Sequence, residues 1–312
     1  MKIPSSVGSL VRISNSIINT PLIKSERLSS PVQNVYLKLE NMQKTGSFKV
    51  RGALNKIHNL DVIDKVIAAS SGNHGAAVSY ALKTKDISGK IYVPKSAKRS
   101  KIKKIESYGS EVIVFGDDCL DAEYEAMKYS KENNCIFISP YNDIDIISGQ
   151  GTLGVELYNQ LPDIDGIFIT VGGGGLISGI GHYLKSINPN IQVIGCSPQN
   201  SSIMINSLDK SDIINTISKD TLSDGSAGGV ENGSITHDLC KRYIDKTCLV
   251  TEQEIGLQIS KTLKHDKIIV EGAAAVAIAS FIKMRKEIRN LKNIVIVVCG
   301  GNICKDTLKS VL

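Results

Sequence analysis

The chain has 312 residues, 42% hydrophobic and 22% charged, with a formal net charge of +6. That is enough apolar material for one large or two medium domains, and too much for a disordered chain. Seven cysteines without C-x-x-C spacing speak against a zinc cluster or a disulfide framework, and for free thiols in a reducing cytoplasm.

No apolar run of signal-peptide length opens the chain and no stretch approaches a bilayer span, so a cytoplasmic protein without a membrane partner is expected. The first strand pattern covers residues 35–40. A helical pattern over 47–59 contains Ser47-Phe48-Lys49-Val50-Arg51-Gly52-Ala53. Thr45 or Ser47 is the expected cap, which puts Lys49 in the first turns. A cation there is disfavoured by the helix dipole, and its pKa should fall toward the range useful for amine chemistry. On its own, a lysine beside a phenylalanine is most often surface next to core, with catalysis the minority reading.

A strand over 65–70 runs into Ser70-Ser71-Gly72-Asn73-His74-Gly75 and a helix over 73–84. The turn offers hydroxyls, an amide and N–H groups suited to a carboxylate or an aromatic hydroxyl. His74 reads equally as a structural or a catalytic histidine. After a strand over 90–93, the basic stretch from Lys95 to Lys104 has no interleaved aromatic residue. It reads as a solvated helix face, with no nucleic-acid partner. Strands over 111–115 and 135–139 flank a helix over 120–133.

The strand over 166–171 leads through Gly172-Gly173-Gly174-Gly175 into a helix over 175–187. Side-chain-free residues at a helix N-terminus let successive N–H groups face one anion, so a phosphate site is expected where a mere tight turn would need one glycine. No Walker lysine follows, and the next strand (192–196) ends in Cys196-Ser197 where an acidic residue would take a ribose hydroxyl. A small phosphorylated cofactor or substrate fits better than a nucleotide. Residues 223–233 read as a loop, helices follow over 252–265 and 271–285, and a buried strand over 293–299 ends in Cys299-Gly300-Gly301-Asn302. That end is where doubly wound sheets bind ligands, although Cys299 suits a buried apolar position equally. Strand and helix alternate throughout, as in parallel α/β sheets covered on both faces.

Taken in order, Ser47–Ala53, Ser71–Gly75, Gly172–Leu176 and Cys299–Asn302 resemble fold-type II pyridoxal 5′-phosphate (PLP) enzymes of the serine/threonine dehydratase and serine racemase branch. Gly149-Gln150-Gly151-Thr152 and Glu271-Gly272-Ala273 fit the same pattern, and the likeness extends from Thr20 to Asn302. The resemblance implies an α/β protein of two doubly wound domains, tryptophan synthase β-like. A small inserted domain would span residues 65–142 and a large PLP-binding domain residues 1–64 and 143–312.

It further implies that Lys49 forms a Schiff base with PLP and then acts as base, with Phe48 packed near the ring and Asn73 on the ring oxygen. Gly172, Gly173, Gly174, Gly175 and Leu176 would hold the phosphate, which in turn protonates the leaving hydroxyl. Ser71, Asn73, His74 and Gly75 would surround the substrate carboxylate, Ser71 being the second catalytic group where racemisation occurs. Cys299 stands where this branch has a hydroxyl at the ring nitrogen; a neutral thiol there is a poor donor and implies an unprotonated pyridine.

The implied reaction is β-elimination of L-threonine or L-serine to 2-oxobutanoate or pyruvate plus ammonia. Tyr141 after Pro140 resembles the dehydratases more than mammalian racemases. Serine racemisation, dehydration of threo-3-hydroxyaspartate or phenylserine, and a non-catalytic phosphometabolite-binding protein are the alternatives. A homodimer follows from family habit. No metal is expected, since Ser197-Pro198 and Ile203 replace the acidic residues of cation-binding members. The chain ends soon after Asn302, so neither a C-terminal regulatory domain nor isoleucine feedback is expected.

Overall fold

The computed structural model describes residues 3–60 and 65–312. The chain runs α1 (Ser6–Ile13), β1 (Leu22–Lys24), β2 (Asn34–Leu39), α2 (Lys49–His58), β3 (Val66–Ala69), α3 (Asn73–Thr84), β4 (Gly89–Val93), α4 (Arg99–Glu106), β5 (Glu111–Val114), α5 (Cys119–Glu132) and β6 (Ile136–Phe137). It continues with α6 (Ile144–Gln160), β7 (Gly166–Thr170), α7 (Gly175–Ile187), β8 (Gln192–Pro198), α8 (Ile203–Ser207), α9 (Ile235–Tyr243), β9 (Lys246–Val250), α10 (Glu252–Lys261), α11 (Gly272–Met284), β10 (Asn293–Val298) and α12 (Lys305–Ser310).

Among the described residues two sheets form, a six-stranded one in the order β1-β2-β10-β7-β8-β9 and a four-stranded one in the order β5-β4-β3-β6. Every pairing is parallel except β1 with β2, so the expected α/β architecture of parallel, helix-covered sheets is present. β7 and β10 are buried almost throughout, because helices cover both faces of the centre of the large sheet. The expected inter-domain boundary at Asp64, like Met1, lies outside the described residues. The four-stranded sheet takes all its strands from residues 66–137. Its core is shared, however: Ile13 of α1 and Val50, Leu54 and Ile57 of α2 pack with Val66, Ala77 and Ile91 in one cluster.

Several expected bounds shift for local reasons. The strand expected over 135–139 shrinks to β6, which pairs only with Val66 and Ile67, because Ser139 turns to accept from the backbone N–H groups of Tyr141 and Asn142. The helix expected to run to residue 265 gives way after Lys261 to a wider π turn over Thr262–Asp266. Arg27 enters that turn and donates to Thr262 Oγ1 and Asp266 Oδ2.

Beneath α2 lies an ion cluster almost closed to solvent. Arg51 donates from Nε and Nη2 to Glu40 (both 2.8 Å) and from Nη1 and Nη2 to Glu156 (2.7 and 2.8 Å). Lys38 Nζ closes it with a 2.8 Å bond to Glu156 Oε2. Two cations meet two carboxylates, the arrangement in which buried charges are tolerated. It joins β2, α2 and α6, so the first turn of α2 is fixed against the large sheet.

Candidate active site

The C-terminal ends of β7 and β10 and the start of α2 converge on one pocket. It is lined by Lys49, Phe48, Asn73, Tyr141, Gly172 to Leu176, Cys299 and Glu271, with Thr170, Gly225, Ser226 and Ala273 completing the wall. Parallel sheets place ligands at strand C-terminal edges for this reason: the loops there are free of ladder bonds while the strands are rigid.

Lys49 is the first residue of α2. Thr45 and Ser47 do not cap it as expected; Phe48 occupies the N-cap without a side-chain bond, and the buried hydroxyls of Thr45 and Ser47 find no partner among the described residues. The loop before α2 is held instead through main-chain atoms: Phe48 N donates to Cys299 O (3.0 Å), and Thr45 O accepts from Asn302 Nδ2 (2.9 Å) and Lys104 Nζ (2.9 Å). Lys49 Nζ reaches into the pocket and donates to Pro140 O at 2.8 Å. Burial lowers its pKa to about 8, against the opposing pull of Cys299 and Glu271. The lowered basicity expected from the helix terminus is therefore present, with desolvation as its main cause.

The glycine run forms the opposite wall. Gly174 is the N-cap of α7 with φ of 84°, a left-handed conformation that favours glycine. A Cβ on Gly172 would meet Ser226 O at 2.9 Å, one on Gly173 would enter the Tyr141 ring, and one on Gly174 would lie 2.6 Å from Cys240 Sγ. Backbone N–H groups at the mouth of α7 thus line the pocket with no side chain of their own in the way.

Around these two walls the polar residues form a chain. Asn73 Nδ2 donates to Glu271 Oε1 (2.8 Å), Asn302 Nδ2 donates to Asn73 Oδ1 (2.6 Å), and Asn302 N donates to Glu271 Oε2 (3.0 Å). Burial raises the Glu271 pKa, partly offset by the Asn73 bond. Burial also pushes the Cys299 thiol well above its ordinary range, and Glu271 adds to this, so the sulfur is a neutral thiol at pH 7.

Of the residues singled out by sequence, Lys49, Phe48, Asn73, Gly172 to Leu176 and Cys299 meet in the one pocket. Ser71 does not line it; with Asn73, Lys101, Lys104 and Asn302 it lines an adjoining cleft. His74 and Gly75 line neither. The His74 ring is buried with Nε2 2.9 Å from Ile138 O, and burial lowers its pKa to about 3, so it is a neutral, structural donor. A side chain at Gly75 would run into Ser70 O, which makes this glycine a packing requirement of the turn.

Lys101 and Lys104 are not simply solvated, as the basic stretch suggested. Lys101 bridges to Asp224 at 2.7 Å and Lys104 donates to Asn302 Oδ1 at 2.6 Å, joining α4 to the large sheet's loops. Thr170, Gly225 and Ser226 carried no signal in sequence, and Glu271 and Tyr141 entered only through resemblance. Among the described residues no group of three or more His, Cys, Asp or Glu is arranged to hold a metal ion, and no helix is long and apolar enough to cross a membrane.

Residues 13–300 match the profile of the pyridoxal-phosphate dependent enzyme family. The chain is 39% identical over 295 residues to L-threonine ammonia-lyase of Thermotoga maritima, covering 93% of this chain and 73% of that one. It is 37% identical over 298 residues to the catabolic L-threonine dehydratase of Escherichia coli K12, covering 94% and 90%. Among solved structures it resembles maize serine racemase with a TM-score of 0.93 and 31% identity, covering 99% of this chain and 96% of that one. The chain belongs to the pyridoxal-phosphate dependent enzyme family. The pocket's donor set suits that cofactor: a buried amine for the aldehyde, a side-chain-free helix N-terminus for the phosphate, and a thiol on the wall between.

Proposed function

We propose, on the premise of that family membership, that the chain is a lyase that eliminates water from L-threonine or L-serine, the released enamine then taking up water and losing ammonia to give 2-oxobutanoate or pyruvate. The observation that carries this reading is the position of Lys49, whose half-buried amine lines the same pocket as the four-glycine wall. The threonine-specific names of the bacterial relatives support the substrate class.

In this reading Gly172, Gly173, Gly174, Gly175 and Leu176 hold the cofactor phosphate by their N–H groups at the positive end of α7. Phe48 flanks the ring and Asn73 holds its 3′-oxygen, using the amide it otherwise gives to Glu271. When bound, PLP supplies the electron sink that makes the Cα–H of an attached amino acid acidic. Lys49 Nζ takes that proton; with its pKa near 8, the neutral amine is far more abundant at physiological pH than in an ordinary lysine. The Cys299 thiol, neutral and a weak donor, would be the residue toward the ring nitrogen and would leave it unprotonated, a weaker electron sink that would favour elimination over transamination.

Ser71, in the adjoining cleft beside Asn73, takes the carboxylate side of the substrate. It is also the group that could serve the opposite face of Cα, so serine racemisation is the second reading, favoured by the likeness to maize serine racemase. Residues 65–142 form the smaller of two domains in this reading, the protein works in the cytoplasm, and two copies associate. L-threonine, L-serine, their D-forms, threo-3-hydroxyaspartate and phenylserine, screened for 2-oxo acid release, test the assignment. Pyruvate or 2-oxobutanoate should exceed any D-serine formed; D-serine appearing faster than pyruvate would reverse the order of the two readings.

A further inference from the structure

The glycine wall is only as good an anion site as its peptide planes are well oriented. In a trans peptide the C=O of one residue and the N–H of the next point in opposite directions. The N–H of Gly174 therefore faces the pocket only while the carbonyl of Gly173 faces away from it. Both residues flanking that plane lack a Cβ, so the usual steric resistance to a peptide flip is missing. The next plane is safe, because Gly174 O accepts the first helical bond of α7 from Ser178 N at 3.0 Å. Gly173 O lies outside the helix and has no such bond.

One side chain supplies what is missing. Thr236, in the first turn of α9, donates from Oγ1 to Gly173 O at 2.6 Å. This is the one hydrogen bond made to that carbonyl among the described residues. Thr236 has no solvent exposure, and its hydroxyl pairs with Ser234 Oγ at 2.8 Å. α9 lies hard against the back of the wall: a Cβ on Gly174 would come within 3.2 Å of Thr236 Cβ as well as meeting Cys240. Thr236 does not line the pocket and touches nothing that reacts.

We propose that Thr236 is a positioning residue for the cofactor phosphate: by holding the Gly173 carbonyl against α9 it keeps the Gly174 N–H aimed into the pocket. This rests on the assignment of the glycine wall to the phosphate. It separates Thr236 from a residue that merely stabilises the fold, because its effect is confined to ligands that carry the phosphate.

The test uses Thr236→Val, which keeps shape and removes the hydroxyl, and Thr236→Ser, which keeps the hydroxyl. Apoprotein of each is titrated with PLP and, separately, with pyridoxal, which has the aldehyde but no phosphate, following absorbance. Loss of one hydrogen bond's worth of orientation should raise the PLP Kd about 3- to 10-fold in Thr236→Val. The pyridoxal Kd should stay within about twofold, and Thr236→Ser should restore PLP affinity. Equal weakening for both ligands, or an unchanged PLP Kd in a folded Thr236→Val, overturns the proposal. Failure of the unsubstituted protein to bind PLP more tightly than pyridoxal overturns the phosphate assignment itself, so the two failures are distinguishable.

Discussion

Replacing Arg51 by Met should cost more stability than any other single surface-independent change near the site. The guanidinium contacts Glu40 and Glu156 through four bonds of 2.7–2.8 Å and Thr152 Oγ1 through a fifth at 3.2 Å. Its removal leaves Glu40 with only the Thr20 hydroxyl (2.5 Å) as a side-chain partner, and the cluster with one unbalanced negative charge in a site closed to water. Breaking a buried pair from one side costs about 3–5 kcal/mol. With an unfolding entropy of about 2.1 cal/mol/K per residue over 312 residues, this becomes a Tm drop of about 5–8 °C. Differential scanning calorimetry of apoprotein and PLP-loaded protein reads it. The double variant Arg51→Met, Glu40→Gln restores charge balance and should recover part of the loss. A drop below about 2 °C, or a double variant that is additive, would refute the view that the cluster is a coupled, desolvated unit.

Changing Gly174 to Ala forces a side chain into a left-handed backbone position and against Cys240 Sγ, so the PLP Kd should rise at least about tenfold; equilibrium titration checks it. The rate at which apoprotein captures PLP should climb with pH and reach half its maximum near pH 8, as burial holds Lys49 there; a midpoint near 10.5 would show an ordinary lysine. Burial lowers the folded His74 pKa to about 3 from the ordinary 6.5, so between those values the unfolded chain binds a proton that the folded one does not. Stability should therefore fall as pH drops from 6.5 toward 3, and urea midpoints of His74→Gln should show a shallower fall across that window. A nitrogen NMR shift typical of a neutral pyridine is expected in the PLP-loaded protein, and a protonated ring would contradict the role given to the Cys299 thiol.

Much of the fold was legible because its elements announce their own ends. The helices over 73–84 and 175–187 were read to the residue, each opening from a glycine-bearing turn after an apolar strand. β1 is only three residues long on a sheet edge, and β9 begins with Lys-Thr-Cys; neither carries enough apolar period to be seen. α6 hides for the opposite reason, since Gly149, Gly151 and Gly154 look like breakers until Gly52, Gly179 and Tyr183 are packed against them.

The site was legible wherever a motif is continuous in sequence. Lys49, Asn73, the glycine wall and Cys299 come from four such runs, and elementary chemistry alone marked only the glycine wall as a binding element. What could not be read is what supports them: Glu271 tied to Asn73 and Asn302, Lys104 bonded to Asn302, and Thr236 behind Gly173 are joined only by folding. His74 shows the same limit, since its place in a glycine-rich turn left structural and catalytic roles equally open, and only folding brings its ring to Ile138 O.

The most direct measurement is reductive trapping. Purified protein saturated with PLP is treated with borohydride, digested, and its peptides are mapped by mass spectrometry. The cofactor mass should appear on the peptide containing Lys49 and nowhere else, and Lys49→Ala should carry none and release no 2-oxo acid. A reduced adduct on another lysine, or full turnover by Lys49→Ala, would contradict the central claim.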